Sequence, residues 1–178
     1  NSTVIVVLFE EMNSDWYPWS GMTNGNTPQK AVLAYRHVRD LFRDVPNARF
    51  GWTVNHDSVP DTAENARLAY YPGDNYVDYV GVNGFNFGNP WQSFSEVFDP
   101  ALSELATLNK PIIIFSMASA DGVRKAAWIR DTLTVQIPAH PKIAGWIWFN
   151  EDKEADWRIW SDPDSLHTFT QSVSRHEE

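Results

Sequence analysis

The sequence contains no cysteine, no long apolar run and no cluster of basic residues, and each absence excludes a class of protein. Zero cysteines exclude disulfide frameworks, thiolate metal sites and cysteine nucleophiles. A transmembrane helix needs about eighteen consecutive apolar residues, and no such run exists, so we expect no membrane partner. Lys and Arg number 14 against 23 Asp and Glu, a net charge of −9. That charge repels phosphate backbones, so we expect no nucleic-acid partner.

The size of the chain predicts one domain over residues 1–178. A hydrophobic fraction of 43% in 178 residues is enough for a single core. Residue 1 is Asn rather than Met, so we expect a processed, trimmed or excerpted product.

Aromatic residues are abundant, at 14% of the chain with nine Trp. Exposed indoles stack on the apolar faces of sugar rings, while carboxylates and amides bind the hydroxyls. Excess Trp together with acidity therefore suggests a polysaccharide ligand. A Trp-rich core or an oligomer interface explains the composition equally well.

Apolar segments alternate with helical patterns along the whole chain. Short β-branched runs predict strands buried on both faces, as in a parallel sheet, near residues 4–9, 49–54, 78–86, 111–116 and 143–149. Helical periodicity covers residues 28–45, 91–108, 123–137 and 164–173, with Thr27 as the first N-cap. The fold class is therefore α/β. Five strands and four helices form an open sheet or an incomplete barrel, because a complete (β/α)₈ barrel usually needs about 250 residues.

Polar and aromatic residues follow the predicted strands, at the edge where α/β folds place their sites. Glu11 comes after the first strand, with Asn13 and the aromatic residues Trp16 and Trp19 close behind. A carboxylate close to an asparagine and two tryptophans is typical of a general acid next to an aromatic surface on which a sugar ring stacks. The alternative is a solvated carboxylate in a loop. His56 and Asp57 lack a third ligand at usable spacing, and no glycine-rich phosphate loop opens a helix, so we expect neither metal nor cofactor.

Several blocks of sequence, taken together and in order, resemble glycoside hydrolase family 26. They are Glu11-Met12-Asn13 with Trp16-Tyr17-Pro18-Trp19, Tyr71-Pro72-Gly73-Asp74 leading into Tyr76-Val77-Asp78-Tyr79-Val80-Gly81, Lys110-Pro111-Ile112, Lys125-Ala126-Ala127-Trp128-Ile129, and Trp148-Phe149-Asn150 to Asp156-Trp157-Arg158-Ile159. These blocks cover nearly the whole chain.

The resemblance implies a (β/α)₈ TIM barrel that cleaves β-1,4-mannans, or in some members β-glucans or xylans, by a retaining mechanism. Glu11 matches the acid/base position after barrel strand four. The chain then corresponds to strands 4–8, and three N-terminal βα units are missing. The resemblance also implies Trp148 as the platform at the cleavage point, flanked by Trp16 and Trp19, with Asn13 and Asn86 as hydroxyl partners.

The chain departs from the family pattern at the nucleophile. Counting along the Lys-Pro-apolar strand places Ser116 where the family has its nucleophilic glutamate, and a seryl hydroxyl cannot replace that carboxylate. Glu10 and Phe85 stand where the family commonly has His and an aromatic hydroxyl. With Ser116 in place, Glu10 is the only like charge near Glu11 in the sequence, so we expect Glu11 to be ionised at neutral pH.

These departures leave several functions open. The chain resembles an endo-β-1,4-mannanase, a β-glucanase or xylanase of the same family, or a catalytically inactive carbohydrate-binding or structural relative. An incomplete barrel exposes strand edges and an apolar interior, so we expect homodimerisation or completion by the missing barrel units. The family resemblance implies a secreted, extracellular protein. The composition of the sequence gives no information about location.

Overall fold

The computed structural model describes residues 2–174, in which five strands alternate with helices. The strands are β1 (Val4–Val7), β2 (Ala48–Asn55), β3 (Tyr79–Asn86), β4 (Ile112–Ser119) and β5 (Ile143–Trp148). The helices are α1 (Pro28–Leu41), α2 (Phe94–Leu105), α3 (Lys125–Asp131), α4 (Ile137–Ala139) and α5 (Pro163–Ser174), with a π-helical segment Thr132–Gln136 joining α3 to α4. All predicted strands and helices are present, with ends that shift by a few residues. Among residues 2–174, no helix is long and apolar enough to cross a membrane.

The strands form one parallel sheet in the order β1-β2-β3-β4-β5. A doubly wound sheet reverses its strand order at a switch point, and this sheet has no reversal. The five parallel strands form a curled half-barrel, which confirms the prediction of an incomplete (β/α)₈ barrel.

Side-chain caps explain where two of the helices begin. The Thr27 hydroxyl accepts a hydrogen bond from the backbone N–H of Lys30, and Pro28 occupies the first helical turn of α1. Ser93 and Glu96 form a reciprocal capping box that starts α2 at Phe94 rather than at the predicted residue 91.

Successive side chains of β2 point alternately into the core beside the helices and into the barrel interior. Phe50, Trp52 and Val54 are fully buried, and Tyr35 of α1 packs edge-on against Phe50. On the interior side, a Cβ added to Gly51 would lie 2.4 Å from the Phe115 ring, and Gly81 is equally close to that ring. The two glycines therefore make room for Phe115 to fill the interior below the carboxyl ends of the strands.

A β-bulge in β4 changes which side chains face the interior. Val82 pairs with Ile114, but its neighbour Asn83 pairs with Ser116, so Phe115 is the extra residue. Side chains alternate along a strand, and one extra residue reverses that alternation. Met117 consequently packs in the outer core, fully buried, while Ser116 is brought beside Asn83.

The two edge strands expose apolar side chains. The sequence predicts a first strand buried on both faces, yet Val4 is 53% and Ile5 40% exposed, and Ile147 of β5 is 53% exposed. The prediction for β1 is wrong in this respect because, among residues 2–174, β1 pairs only with β2. β5 is the opposite edge and pairs only with β4 in the same part of the chain.

Candidate functional site: a cleft at the carboxyl ends of the strands

A cavity of about 840 Å³ lies at the carboxyl ends of the strands. Its walls come from the segments that follow β1, β2, β3 and β5 and from Ser116 within β4. Among the sequence-predicted site residues, four line it: Glu11, Trp16, Phe85 and Ser116.

Glu11 is held in the cavity wall by two donors. The side chain of Asn83 donates from Nδ2 to Glu11 Oε1 at 2.8 Å, and Trp16 donates from Nε1 to Oε2 at 2.9 Å. The backbone of Glu11 is left-handed, with φ of 55°, as is that of Phe9, with φ of 50°. These unusual dihedrals turn the chain sharply after β1. The turn and the two donors orient the carboxylate of Glu11, a residue that is only 7% exposed.

Burial raises the pKa of the Glu11 carboxyl above its ordinary value. The negative charge of Glu10 acts in the same direction, whereas the hydrogen bonds from Asn83 and Trp16 and the charge of Lys153 oppose it. Sequence reasoning weighed only neighbouring charges and missed desolvation, because burial is a tertiary property. The ionisation of Glu11 at neutral pH stays a prediction, and burial acts against it.

Ser116 lies across the ladder from Asn83, the residue that holds Glu11. It is half-buried and lines the same cavity. Among residues 2–174, no histidine, lysine or carboxylate hydrogen-bonds its hydroxyl, so no base activates it. Its assignment to the nucleophile position stays a prediction from the resemblance.

Four aromatic rings form an apolar wall of the cavity. Phe85 contacts Phe149 at a centroid distance of 5.6 Å and Trp157 at 5.2 Å. Phe87 contacts Trp157 at 5.0 Å. Trp157 is only 1% exposed, so it both packs, as its sequence position indicates, and contributes to the wall.

The three Trp residues assigned to sugar contacts occupy different places. Trp16 is 49% exposed within the cavity. Trp19 is stacked on Tyr17 at 4.4 Å and donates to the Glu10 carbonyl at 2.9 Å, outside the cavity lining.

Trp148, the expected platform, does not line the cavity, and its sugar-binding role stays a prediction from the resemblance. Its ring packs against Trp128 of α3 and Phe169 of α5, and its Nε1 donates to the Trp157 carbonyl at 2.8 Å. Side chains alternate along β5, so Trp148 faces the helices, and the next residue, Phe149, supplies an aromatic ring to the cavity instead.

The roles of Asn13 and Asn86 as hydroxyl partners stay predictions from the resemblance, and the structure gives both side chains protein partners. Each side chain is fully buried, and neither lines the cavity. The amide of Asn13 accepts from the Asn55 backbone N–H at 2.8 Å and donates to carbonyls of the β2 loop. The Asn86 carbonyl oxygen accepts from the backbone N–H groups of Gly88 and Gln92 at 3.0 Å each. Both residues therefore position loops.

The structure adds wall residues that sequence reasoning did not assign to the site. They are Asn83, Phe149, Lys153, Glu154 and Trp157. All lie within, at the end of or after predicted strands, which was the available signal, but the direction in which each side chain faces depends on register and loop path. His56 and Asp57 contact each other at 3.4 Å. Among residues 2–174, no group of three or more His, Cys, Asp or Glu is placed to hold a metal.

A sequentially ordered parallel half-barrel with an acid and aromatic rings at its carboxyl edge defines the class: (β/α) barrel proteins of the glycosidase type. The chain belongs to glycosyl hydrolase family 26, whose model matches residues 2–162. The match covers nearly all of the described structure.

Relatives and solved structures agree with this assignment. Endoglucanase H of Acetivibrio thermocellus is 40% identical over 174 residues, covering 92% of this chain and 19% of that protein. The catalytic domain of a Bacillus sp. JAMB-750 endo-β-1,4-mannanase superposes with a TM-score of 0.71 at 20% identity, over 97% of this chain and 50% of that one. A β-mannanase from Bacteroides ovatus gives the same TM-score and coverage at 19% identity. The chain thus spans about half the length of these solved structures and about a fifth of Endoglucanase H.

Proposed function

We propose that this chain forms part of a β-1,4-glycan-binding cleft that does not hydrolyse its ligand. The observation that carries the proposal is the pairing of a retained acid and aromatic walls with a serine at the predicted nucleophile position. Aromatic rings and fixed polar groups bind sugars without a nucleophile, whereas turnover requires one.

The absence of a carboxylate at position 116 argues against turnover by the family's mechanism. A retaining glycosidase needs two carboxyl groups roughly 5–5.5 Å apart, one of which forms the glycosyl-enzyme. Ser116 supplies only a hydroxyl, without a base among residues 2–174 to activate it. Glu11 occupies the acid/base position that the resemblance assigns, but nothing at position 116 can capture the sugar.

The ligand is a β-1,4-linked glycan of the glucan or mannan type. Endoglucanase H supports a glucan, because its name describes an endoglucanase and it is 40% identical. The structural neighbours named as mannanases support a mannan. Xylan is a further candidate from the family resemblance.

Hydrolysis is the second candidate function, and the burial of Glu11 favours it. A general acid must be protonated at the working pH, and burial raises the pKa of this carboxyl. An endo-β-1,4-mannanase or β-glucanase activity then requires another carboxylate of the cavity as nucleophile.

Trp16→Ala tests the binding proposal. Loss of the exposed indole is expected to weaken binding to β-mannan or β-glucan by about tenfold, since aromatic anchors dominate binding. Trp160→Ala is the matched control, because Trp160 is 54% exposed but lies outside the cavity. Affinity electrophoresis measures binding, and reducing-end release from the same polysaccharides is expected to be absent.

Three results contradict the proposal. Equal binding by the two tryptophan variants places the ligand elsewhere. Reducing-end release by the unmodified chain that is abolished in Glu11→Gln establishes hydrolysis instead. Binding to none of mannan, β-glucan and xylan overturns the proposed class of neutral glycan ligand.

The proposal includes the assembly and the location of the cleft. The exposed edges of β1 and β5 are covered in one of two ways. Either the barrel units that the family resemblance places before β1 complete the barrel, or two copies of the chain pair. An extracellular location, where plant-type polysaccharides are met, is the setting in which such a cleft acts.

A further inference from the structure

The cavity combines an aromatic surface with an excess of negative charge. Its lining contains four carboxylates, from Glu10, Glu11, Asp57 and Glu154, and one lysine, Lys153. No arginine lines the cavity among residues 2–174. The charge of the whole chain, −9, has the same sign.

The positive groups near the cavity do not neutralise this excess. Lys153 forms an ion pair with Glu154 at 2.9 Å and also acts on Glu11, so one lysine faces several carboxylates. Burial lowers the pKa of the His56 imidazole, which is therefore neutral near neutral pH despite its contact with Asp57. Glu10, Glu11 and Asp57 have no cationic partner among residues 2–174 within salt-bridge distance, apart from this neutral histidine.

Three of the four acidic groups, Glu10, Glu11 and Glu154, lie near Tyr17, which is next to the exposed Trp16. Tyr17 donates to Glu10 Oε1 at 3.3 Å, and Trp16 donates to Glu11 at 2.9 Å. Burial raises the pKa of the Tyr17 phenol, and three nearby carboxylates add to that effect: Glu10, Glu11 and Glu154. An aromatic face surrounded by carboxylates attracts a cation both through the ring and through the charges.

A neutral sugar desolvates these carboxylates and supplies only hydroxyl donors, whereas a protonated amine supplies a charge and three N–H donors. We propose that the cavity selects β-linked oligosaccharides bearing primary amino groups, of the glucosamine-polymer type, over neutral oligosaccharides of the same length. This inference rests on the proposed carbohydrate-binding function and names the ligand class of that site.

The experiment compares four oligosaccharides of equal length by calorimetry with the unmodified chain. They are a β-1,4-glucosamine oligomer, its fully N-acetylated counterpart, and the corresponding cello- and manno-oligosaccharides. The glucosamine oligomer is expected to bind at least about tenfold more tightly than the other three. That advantage is expected to disappear when salt shortens the Debye length to about 3 Å.

Glu10→Gln and Glu154→Gln locate the effect. Each is expected to weaken binding of the glucosamine oligomer severalfold more than binding of the neutral oligomers. Asp44→Asn is the matched control, since Asp44 is exposed and lies outside the cavity. If Asp44→Asn weakens binding of the glucosamine oligomer equally, the effect comes only from the net charge of the chain, and the inference is overturned.

The outcomes separate this inference from the function on which it rests. Neutral oligomers that bind as tightly as the glucosamine oligomer overturn the amine preference but leave the carbohydrate-binding function intact. Binding of the glucosamine oligomer that does not depend on salt also overturns the preference. If none of the four binds, both proposals fail together.

Discussion

Glu11 and Ser116 face the same cavity but differ in what they can contribute to chemistry. Asn83 donates to the first and pairs across the ladder with the second. Burial raises the pKa of the Glu11 carboxyl, while the Ser116 hydroxyl can neither hold charge at neutral pH nor form a glycosyl ester. In the proposed function, the residue at position 116 therefore decides whether the cleft can turn over its ligand by the family's mechanism.

Ser116→Glu is expected to raise the pKa of Glu11 further, because a second carboxylate near it disfavours ionisation. An NMR titration of the Glu11 carboxyl in the unmodified chain and the variant measures this shift. Ser116→Gln, which has the same size without the charge, is expected to leave the Glu11 pKa unchanged. An unchanged Glu11 pKa in Ser116→Glu would mean that position 116 does not face Glu11.

The same raised pKa makes the stability of the fold depend on pH. A carboxyl whose pKa is raised in the folded state stabilises that state below its unfolded value, and the contribution is lost as pH rises through the folded-state pKa. Relative to Glu11→Gln, the unmodified chain is therefore expected to lose free energy of unfolding as pH rises above about 4.5, the ordinary value. Urea denaturation across that range measures the difference, and a rise in relative stability would contradict the assignment.

At the scale of elements, the segment after β5 is held in place by one lysine of α3. Lys125 is completely buried. Its ammonium donates to the carbonyls of Asp156 at 3.0 Å and Arg158 at 2.7 Å, and to the Ser161 hydroxyl at 3.0 Å. This segment carries wall residues of the cavity, so the anchor positions the wall without touching the ligand.

Lys125→Ala is expected to lower the free energy of unfolding by about 2–4 kcal/mol, since it leaves buried carbonyls without partners. Lys30→Ala removes an exposed lysine and is expected to cost less than about 0.5 kcal/mol. Urea denaturation compares the two variants. Equal effects would show that the buried ammonium does not anchor the segment.

At the scale of the whole molecule, the half-barrel exposes two sheet edges. Val4 and Ile5 on β1 and Ile147 on β5 are exposed apolar residues of edge strands. Unpaired edges of this kind pair with other chains unless they are covered or charged. The chain alone is thus suited to association, and a completed barrel covers the same surfaces.

The isolated chain is expected to associate in solution, and Ile5→Lys combined with Ile147→Lys is expected to shift it toward monomer. Light scattering over a range of concentrations measures both. Leu33→Lys is the control, because Leu33 is 63% exposed but lies on helix α1 rather than on a sheet edge. A stable monomer of the unmodified chain at all concentrations would contradict the expectation.

The sequence by itself determined the elements and their order, because these depend on local periodicity and caps. Apolar runs placed all five strands, Thr27 started α1, and alternation without a linker predicted one parallel α/β unit. The ordered blocks from Glu11 to Ile159 predicted the family, which the match over residues 2–162 confirms.

Only the tertiary structure decided which side chains face the cavity and how they ionise. The bulge at Phe115 turns Ser116 inward, and the alternation of β5 turns Trp148 outward toward α3 and α5. The side chain of Asn13 forms hydrogen bonds with the backbone of Asn55 at the end of β2. Burial of Glu11 raises the pKa of its carboxyl. The direction, hydrogen-bond partners and burial of a side chain arise from contacts between residues distant in sequence. Local sequence patterns carry no information about those contacts.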